Sequence, residues 1–576
     1  MSRLPAVVIV VAGVIAYSSG LSTPFLYDDE TGIVSNQQIR QVWPLDESLS
    51  PPAETPVARR PLVNLTLAIN YAFSGLRTRG YHVTNLLIHL LAALTLFGIV
   101  RRTLSGLRLR QGDGGQARPG PGASGKARRG RGDGGQRRLR QGDGGQAGAR
   151  VSELRARLAH DSTLIALASA LIWTVHPLNS ELIEYVVQRT ESLMALFYLL
   201  TLYCALRAFE ARHRGGKWTV AAVLLCAAGM LSKETMATAP IVVAAYDRVF
   251  LFDSFRQAMQ KRRRLYIGLA ATWVVVAVAL ASGGRTSVGF SSGTSPWTYL
   301  LNQADVVTHY LKLTVWPRAL VLDYGLPQPL MWHDVIAPAS LLLVLLAMVI
   351  AALIHVPEIG LLGACFFIIL APTSSIVPIA TEVGAERRMY LPLAGLVVLA
   401  VIACYMLMWR IVGARRAPIA LAIAAAGVCV AATAGTIART REYSTRLELA
   451  RTIVERRPTG RAHFLLATEL IAAHREEEGI AEFRAATGDY APAHFGLGVE
   501  LAGQQRVDEA IAELNEFIRL RPEDPVVVPA RDLLGQLYLA KGQYGAAEDQ
   551  FTLILEKQPA HASARRYLSA LRARRR

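Results

Sequence analysis

Cysteine is scarce in this chain, and so is charge within its long apolar runs. The five cysteines, Cys204, Cys226, Cys365, Cys404 and Cys429, all lie in apolar stretches, with no CxxC spacing and no neighbouring histidine ligands. They read as small core hydrophobes, which excludes a disulfide framework and a cysteine metal site. At 576 residues and 52% hydrophobic, the chain is too apolar for a soluble globular protein. A polytopic membrane protein is expected instead. The formal charge of +18 invites a nucleic-acid reading, but Arg and Lys cluster between the apolar segments. That is where the positive-inside rule puts them, so the basicity reads as topology.

A membrane span takes about 20 mostly apolar residues. Such segments fall near 4–20, 82–100, 161–176, 192–209, 218–235, 236–252, 266–283, 336–355, 359–380, 391–410 and 417–437. The first resembles a cleaved signal peptide in its shortness; a signal anchor suits it better, since many spans follow. Residues 297–317 carry Asp305, His309 and Lys312, a spacing that fits a surface-lying amphipathic helix. With Met1 inside, the inner loops are 101–160, 210–217, 253–265, 356–358 and 411–416, and four of these five are rich in Arg and Lys. Eleven spans satisfy this parity, and everything chemically suggestive then shares the extracytoplasmic side. The inner loop 103–160 repeats RLRQGDGGQA at 108–117 and 138–147, a composition that builds no core and predicts disorder.

Beyond residue 438 the composition turns polar and helical. Prolines at 458, 492, 522 and 559 are 34, 30 and 37 residues apart, scattered around the 34 of tetratricopeptide repeats. Leu534, Gly535, Tyr538, Gly542, Ala547, Phe551 and Pro559 follow that repeat's pattern. The expected fold is therefore all-α: a helical membrane domain over 1–438, interrupted by the 103–160 insert, then an extracytoplasmic repeat solenoid over 439–576.

Asp28, Asp29 and Glu30 stand in a row directly after the first apolar segment. Carboxylates at a bilayer surface are costly unless something uses them, although the start of a solvated loop accounts for them as well. The turn HPLNSELIEYVVQRTESL crowds His176, Glu181, Glu184, Arg189 and Glu191 onto the same side. TEVGAERRMYLPLAGL adds Glu386, Arg387, Arg388 and Tyr390. Adjacent arginines suit a lipid phosphate because guanidinium offers paired donors, and Arg59 with Arg60 presents the same chemistry. Interfacial snorkelling is the plainer explanation of both pairs. Lys233 and Glu234, in MLSKET, form a charged pair at a span end, serving topology or lining the same cavity.

Taken together, FLYDDETGIVSNQQIR, RRPLVNLTLAINYAFSGLRTRGYHVTNLLIHLL, HPLNSELIEYVVQRTESL, MLSKET, YDRVF and GAERRMYLPLAGL resemble the transmembrane and tetratricopeptide-repeat protein O-mannosyltransferases. These are glycosyltransferases of the GT-C class. The 103–160 insert is absent from the family's pattern and the repeats are few. The resemblance implies transfer of a sugar, mannose by preference, from a polyprenyl-phosphate carrier to Ser or Thr hydroxyls of exported proteins held by the repeats. It maps the family's acidic motif onto Asp28 and Asp29, one of which takes the acceptor proton. Arg387 and Arg388, helped by Arg59, Arg60 or Arg189, would hold the lipid phosphate. His176, Glu181 and Glu191 would shape the sugar or acceptor pocket. No cofactor is expected, and a divalent metal is not favoured because the donor already carries an activated leaving group. A bacterial inner membrane is the expected location, with no nucleic-acid partner. A glycan acceptor, or a non-enzymatic scaffold built on the repeats, are the other readings.

Overall fold

Prolines and hydroxyl side chains set where many of the helices begin. Pro61, Pro296, Pro357 and Pro492 occupy first turns, where a missing N–H costs nothing. Ser254, Ser295, Thr445 and Thr459 cap their helices by accepting a backbone N–H two or three residues on. The computed structural model describes residues 3–107, 153–211, 215–281, 289, 293–375 and 377–575. Among these it is helical throughout, with no strand. The two RLRQGDGGQA repeats lie outside the described residues.

The chain divides into two compact units, one of 1–318, 328–380 and 386–441, the other of 319–327, 381–385 and 442–576. In the first, the principal helices are α1 (Leu4–Tyr17), α2 (Pro61–Ser74), α3 (Thr78–Gly106), α4 (Ser162–Thr174), α5 (Arg189–Glu210), α6 (Gly215–Met230) and α7 (Ala239–Tyr246). They continue with α8 (Phe255–Ala271), α9 (Trp273–Ala281), α10 (Pro296–Val315), α11 (Ile336–His355), α12 (Pro357–Leu370), α13 (Tyr390–Val412) and α14 (Ala417–Glu442).

Among the described residues, five helical stretches are long and apolar enough to cross a membrane: Thr78–Gly106, Val186–Glu210, Trp332–His355, Glu386–Val412 and Ala417–Glu442. Ser162–Thr174 with Pro177–Glu184 passes the same test only as a pair bent by 56°, a broken span or a re-entrant loop, and Leu4–Gly20, Gly215–Met230 and Pro357–Leu370 are shorter apolar helices. Helix α11 buries almost nothing; Leu343, Met348 and Ile354 are each more than half exposed. A helix so apolar on every side is at home in hydrocarbon, and the protein is an integral membrane protein.

Several of the eleven expected segments are not single helices: in 218–235 α6 ends at Met230 and a tighter turn starts at Glu234, and in 359–380 α12 ends at Leu370. In 236–252, α7 stops after eight residues and opens into a π-helical turn, Asp247–Leu251, because Asp247 is buried and draws Arg262 and Tyr266 to it at 2.5 Å each. In 266–283, α8 and α9 meet at Thr272, whose hydroxyl bonds back to Leu269 O at 2.6 Å. Residues 297–317 do form one helix, α10, with one buried face that includes Tyr299, Val306 and Tyr310.

The second unit is a run of paired helices: α15 (Arg446–Arg456), α16 (Gly460–Ala472), α17 (Glu476–Ala486), α18 (Pro492–Gly503), α19 (Val507–Leu520), α20 (Val527–Ala540), α21 (Tyr544–Lys557) and α22 (Ala562–Arg575). The hairpins α16–α17, α18–α19 and α20–α21 repeat one device. Each turns through a residue of positive φ, at His474, Gln505 and Gly542. Each also ties its helices by a polar pair 19 residues apart: His463 with Glu482, His494 with Glu513, and Arg531 with Gln550. Close packing needs Gly535, where a Cβ would lie 2.5 Å from Phe551 Cζ.

Candidate functional site

The acidic row is split by the backbone. Asp29 heads the turn Glu30–Val34 and is fully buried, while Asp28 and Glu30 are exposed. Inside, the Asp29 carboxylate accepts two backbone N–H groups, Leu26 at 2.9 Å and Val187 at 2.7 Å. One side chain thereby staples the loop to the turn Val186–Gln188, 158 residues away in sequence. Burial pushes its carboxyl up to about 7, and the two amide bonds only partly counter that. Next door, Asp28 N donates to the Tyr185 hydroxyl at 2.9 Å. Burial, then the charges of Asp28 and Asp29, push that phenol well above its ordinary value, so it stays a neutral hydroxyl.

Three polar residues on one face of α3 hold these turns. His82 places its ring nitrogens 2.8 Å from Ile183 O and 2.9 Å from Thr23 O. Asn85 donates to Leu182 O and Val186 O at 3.1 and 3.2 Å. His89 lies 2.8 Å from the Tyr390 hydroxyl and 2.9 Å from Thr174 O. Thr23 also donates to the buried Glu184 at 2.8 Å, and Gly20 sits so close to that carboxylate that a Cβ would fall 1.9 Å from Oε1.

Around the exposed Asp28 lies a set of paired charges. Glu181 receives both the guanidinium of Arg387, at 2.7 Å, and its backbone N–H, at 3.1 Å. Lys233 pairs with Glu191 at 2.5 Å, and Arg60 with Glu234 at 3.5 Å. Lys233 is near enough to Arg60 and Arg387 for their charges to act on it; burial pushes its ammonium down while Glu191 holds it up. Arg387 acts likewise on Tyr185, and Arg59 on Glu234. Asp28, Glu181, Arg387, Glu191, Lys233, Arg59, Arg60 and Glu234 thus form one electrostatic neighbourhood.

Four other residues expected at the site point elsewhere. Arg189 is fully buried and donates to Asn85 Oδ1, Thr66 O and Tyr81 O at 2.7, 3.1 and 3.2 Å, tying α2, α3 and α5 together. Arg388 is buried against the Tyr299 hydroxyl and Thr373 O, both at 3.1 Å. His176 accepts Leu178 N and reaches Thr314 O at 3.2 Å. Tyr390 joins a ring cluster with His89 and Trp173. Glu386 is buried as well. Sequence reasoning missed Tyr185, His82, Asn85 and His89. The last three had a readable signal, since spacings of three and four place them on one stripe of an otherwise apolar helix. Among the described residues no group of three or more His, Cys, Asp or Glu side chains converges as a metal site.

Among the described residues, an all-helical membrane domain thus carries an acidic turn beside paired cations. Residues 156–281 match the family model described as dolichyl-phosphate-mannose-protein mannosyltransferase. The chain is 24% identical over 438 residues to the protein O-mannosyl-transferase TMTC4 of Homo sapiens, covering 67% of this chain and 53% of that protein. For TMTC4 of Mus musculus the identity is 26%, covering 65% and 52%; for Tmtc2 of Drosophila melanogaster it is 25%, covering 54% and 29%. The matched part thus spans about a third to a half of the length of these curated relatives. No solved structure matches the chain. Over part of its length the chain is therefore similar to protein O-mannosyltransferases, the resemblance its motifs carry.

Proposed function

We propose that the protein is a membrane glycosyltransferase that moves mannose from a polyprenyl-phosphate carrier to Ser or Thr hydroxyls of exported proteins. The observation that carries this reading is the division of labour at the acidic turn. Asp29 is turned inward onto two amides, which leaves Asp28 as the exposed carboxylate beside Arg387 and Tyr185. Asp28 is the general base: it takes the acceptor hydroxyl proton as the oxygen attacks the anomeric carbon, through an oxocarbenium-like transition state. The phosphate leaves without protonation because cations neutralise it. Arg387 is the first of these, held ready by Glu181, with Lys233, Arg59 and Arg60 completing the positive rim. Arg189, Arg388, His176 and Tyr390 act as supports. The helical hairpins of 442–576 are tetratricopeptide repeats that hold the acceptor. The site and the repeats face the periplasm of a bacterial inner membrane.

The test is transfer in membranes. Vesicles carrying the protein, supplied with polyprenyl-phosphate mannose and a Ser/Thr-rich peptide, should mannosylate the peptide, and Asp28→Asn should not. Transfer to a lipid-linked glycan, with none to peptide, would reassign the acceptor. Absence of transfer to any hydroxyl by the wild-type chain would remove the enzymatic reading altogether.

A further inference from the structure

Far from Asp28 lies a second charged feature that this chemistry does not use. Helix α5 starts at Arg189 near the site and reaches Phe209 twenty residues later, roughly 30 Å along its axis; α6 runs back from Gly215. At that far end a cavity of about 950 Å³ opens between α6 and α8. Its rim is the run Lys261, Arg263 and Arg264, all exposed, with the Asp253 carboxylate also on the lining. Among the described residues neither Arg263 nor Arg264 is in an ion pair. Its wall is the apolar stripe of α6, where Val220 and Leu224, one turn apart, are 58% and 64% exposed.

The rim is held in place by an unusual local geometry. Arg262 leaves helical conformation (φ −125°, ψ 24°), so α8 kinks there. Its guanidinium is locked between buried Asp247 Oδ1 and Ala205 O, each at 2.5 Å. Four cations follow one another in sequence, one is fixed inward, and the other three are left around the opening. Just ahead of the kink, Phe255 and Met259 are 60% and 51% exposed, the pattern of a helix lying in a bilayer interface. A basic rim above a lipid-facing apolar wall is complementary to one ligand that a membrane supplies in abundance.

We propose that this cavity seats an anionic phospholipid of the surrounding bilayer, its phosphodiester held by Lys261, Arg263 and Arg264 and one acyl chain laid along Val220 and Leu224. Binding the lipid braces the kinked α8 against α6 and involves none of the residues around Asp28.

Purified full-length protein in detergent, titrated with phosphatidylglycerol or phosphatidylcholine and read by native mass spectrometry and thermal unfolding, tests this. Phosphatidylglycerol should be retained and raise the midpoint; phosphatidylcholine should do neither. K261Q/R263Q/R264Q should weaken retention on the order of a hundredfold, the combined effect of three cations at an anionic surface. The pair R415Q/R416Q, in another basic loop, should leave retention unchanged. Because the triple variant removes charges that also orient the chain, Leu224→Gln gives an independent arm. It keeps every cation and should still weaken phosphatidylglycerol retention. Equal retention of the two lipids, wild-type retention by the triple variant or by Leu224→Gln, equal loss in R415Q/R416Q, or full competition by inorganic phosphate would each overturn the proposal.

Discussion

Replacing each aspartate of the acidic turn by asparagine should separate chemistry from architecture. Asn at 29 keeps one oxygen to accept a single backbone N–H, but aims its NH₂ at the other. One of the buried amides of Leu26 and Val187 is then unmet, and a new donor has no acceptor. At about 1–3 kcal/mol for each unmet group, Asp29→Asn should lose on the order of 3 kcal/mol of stability. Asn at 28 changes an exposed residue and should leave stability within about 0.5 kcal/mol. Transfer should behave in the opposite way. With the proposed base removed, Asp28→Asn should fall by about 10² to 10⁴ in rate, whereas Asp29→Asn should retain activity in proportion to the folded fraction and recover on cooling.

The same carboxyl makes a pH prediction. Asp29 titrates near 7 in the fold against 3.8 ordinarily. A raised carboxyl contributes stability that is fully present below the ordinary value and is lost as pH rises through the folded one. The shift corresponds to at most about 4 kcal/mol. Thermal unfolding in detergent from pH 4 to 8 should therefore show a midpoint that declines toward pH 7 in the wild type, with that component absent in Asp29→Asn. A wild-type transfer rate for Asp28→Asn, or greater loss in well-folded Asp29→Asn than in Asp28→Asn, would refute the assignment.

Arg387→Ala takes the guanidinium from the buried Glu181 carboxylate while leaving the backbone N–H bond, so it should cost about 3 kcal/mol and raise KM for the lipid donor, with Arg387→Lys intermediate in donor titrations. Arg189→Lys loses the fork that meets Asn85, Thr66 and Tyr81 together; about 2 kcal/mol less stability is expected in thermal unfolding, with KM for donor unchanged in the folded fraction. In the repeat unit, Gly535→Ala drives a Cβ into Phe551 and should cost about 1–3 kcal/mol. Hydrogen exchange of the full chain should localise that loss to α20 and α21.

Much of the fold was legible because bilayer physics is simple: apolar length and basic loops mark where helices begin and end. Two of the interruptions share a cause. Asp247 and Thr272 bond locally to groups that length and hydropathy do not weigh, and these bonds interrupt helices that composition alone would run straight through. At the site, residue type was legible and direction was not. Arg189 and Arg387 look alike in sequence, since each is a cation in a charged turn. Yet one is surrounded by backbone carbonyls and the other stands half-buried on a carboxylate. The split between Asp28 and Asp29 was equally hidden, because it depends on a long-range contact with Val187.

That contact explains why motifs scattered between residues 23 and 390 converge at all. Polar side chains within an apolar helix are costly unless every donor and acceptor is met. On α3, His82 is met by Thr23 and Ile183, Asn85 by Leu182, Val186 and Arg189, and His89 by Thr174 and Tyr390. These partners lie in the approach to the acidic row, the end of α4, the 176–193 turn and the start of α13. One stripe of a single helix therefore helps fix three loops that also bond to one another directly. Asp29 then locks the first of them to the second, which leaves Asp28 as the exposed carboxylate beside the cations. Its placement is the work of side chains buried behind it, and substitutions along that stripe should damage transfer by moving Asp28 rather than by removing chemistry.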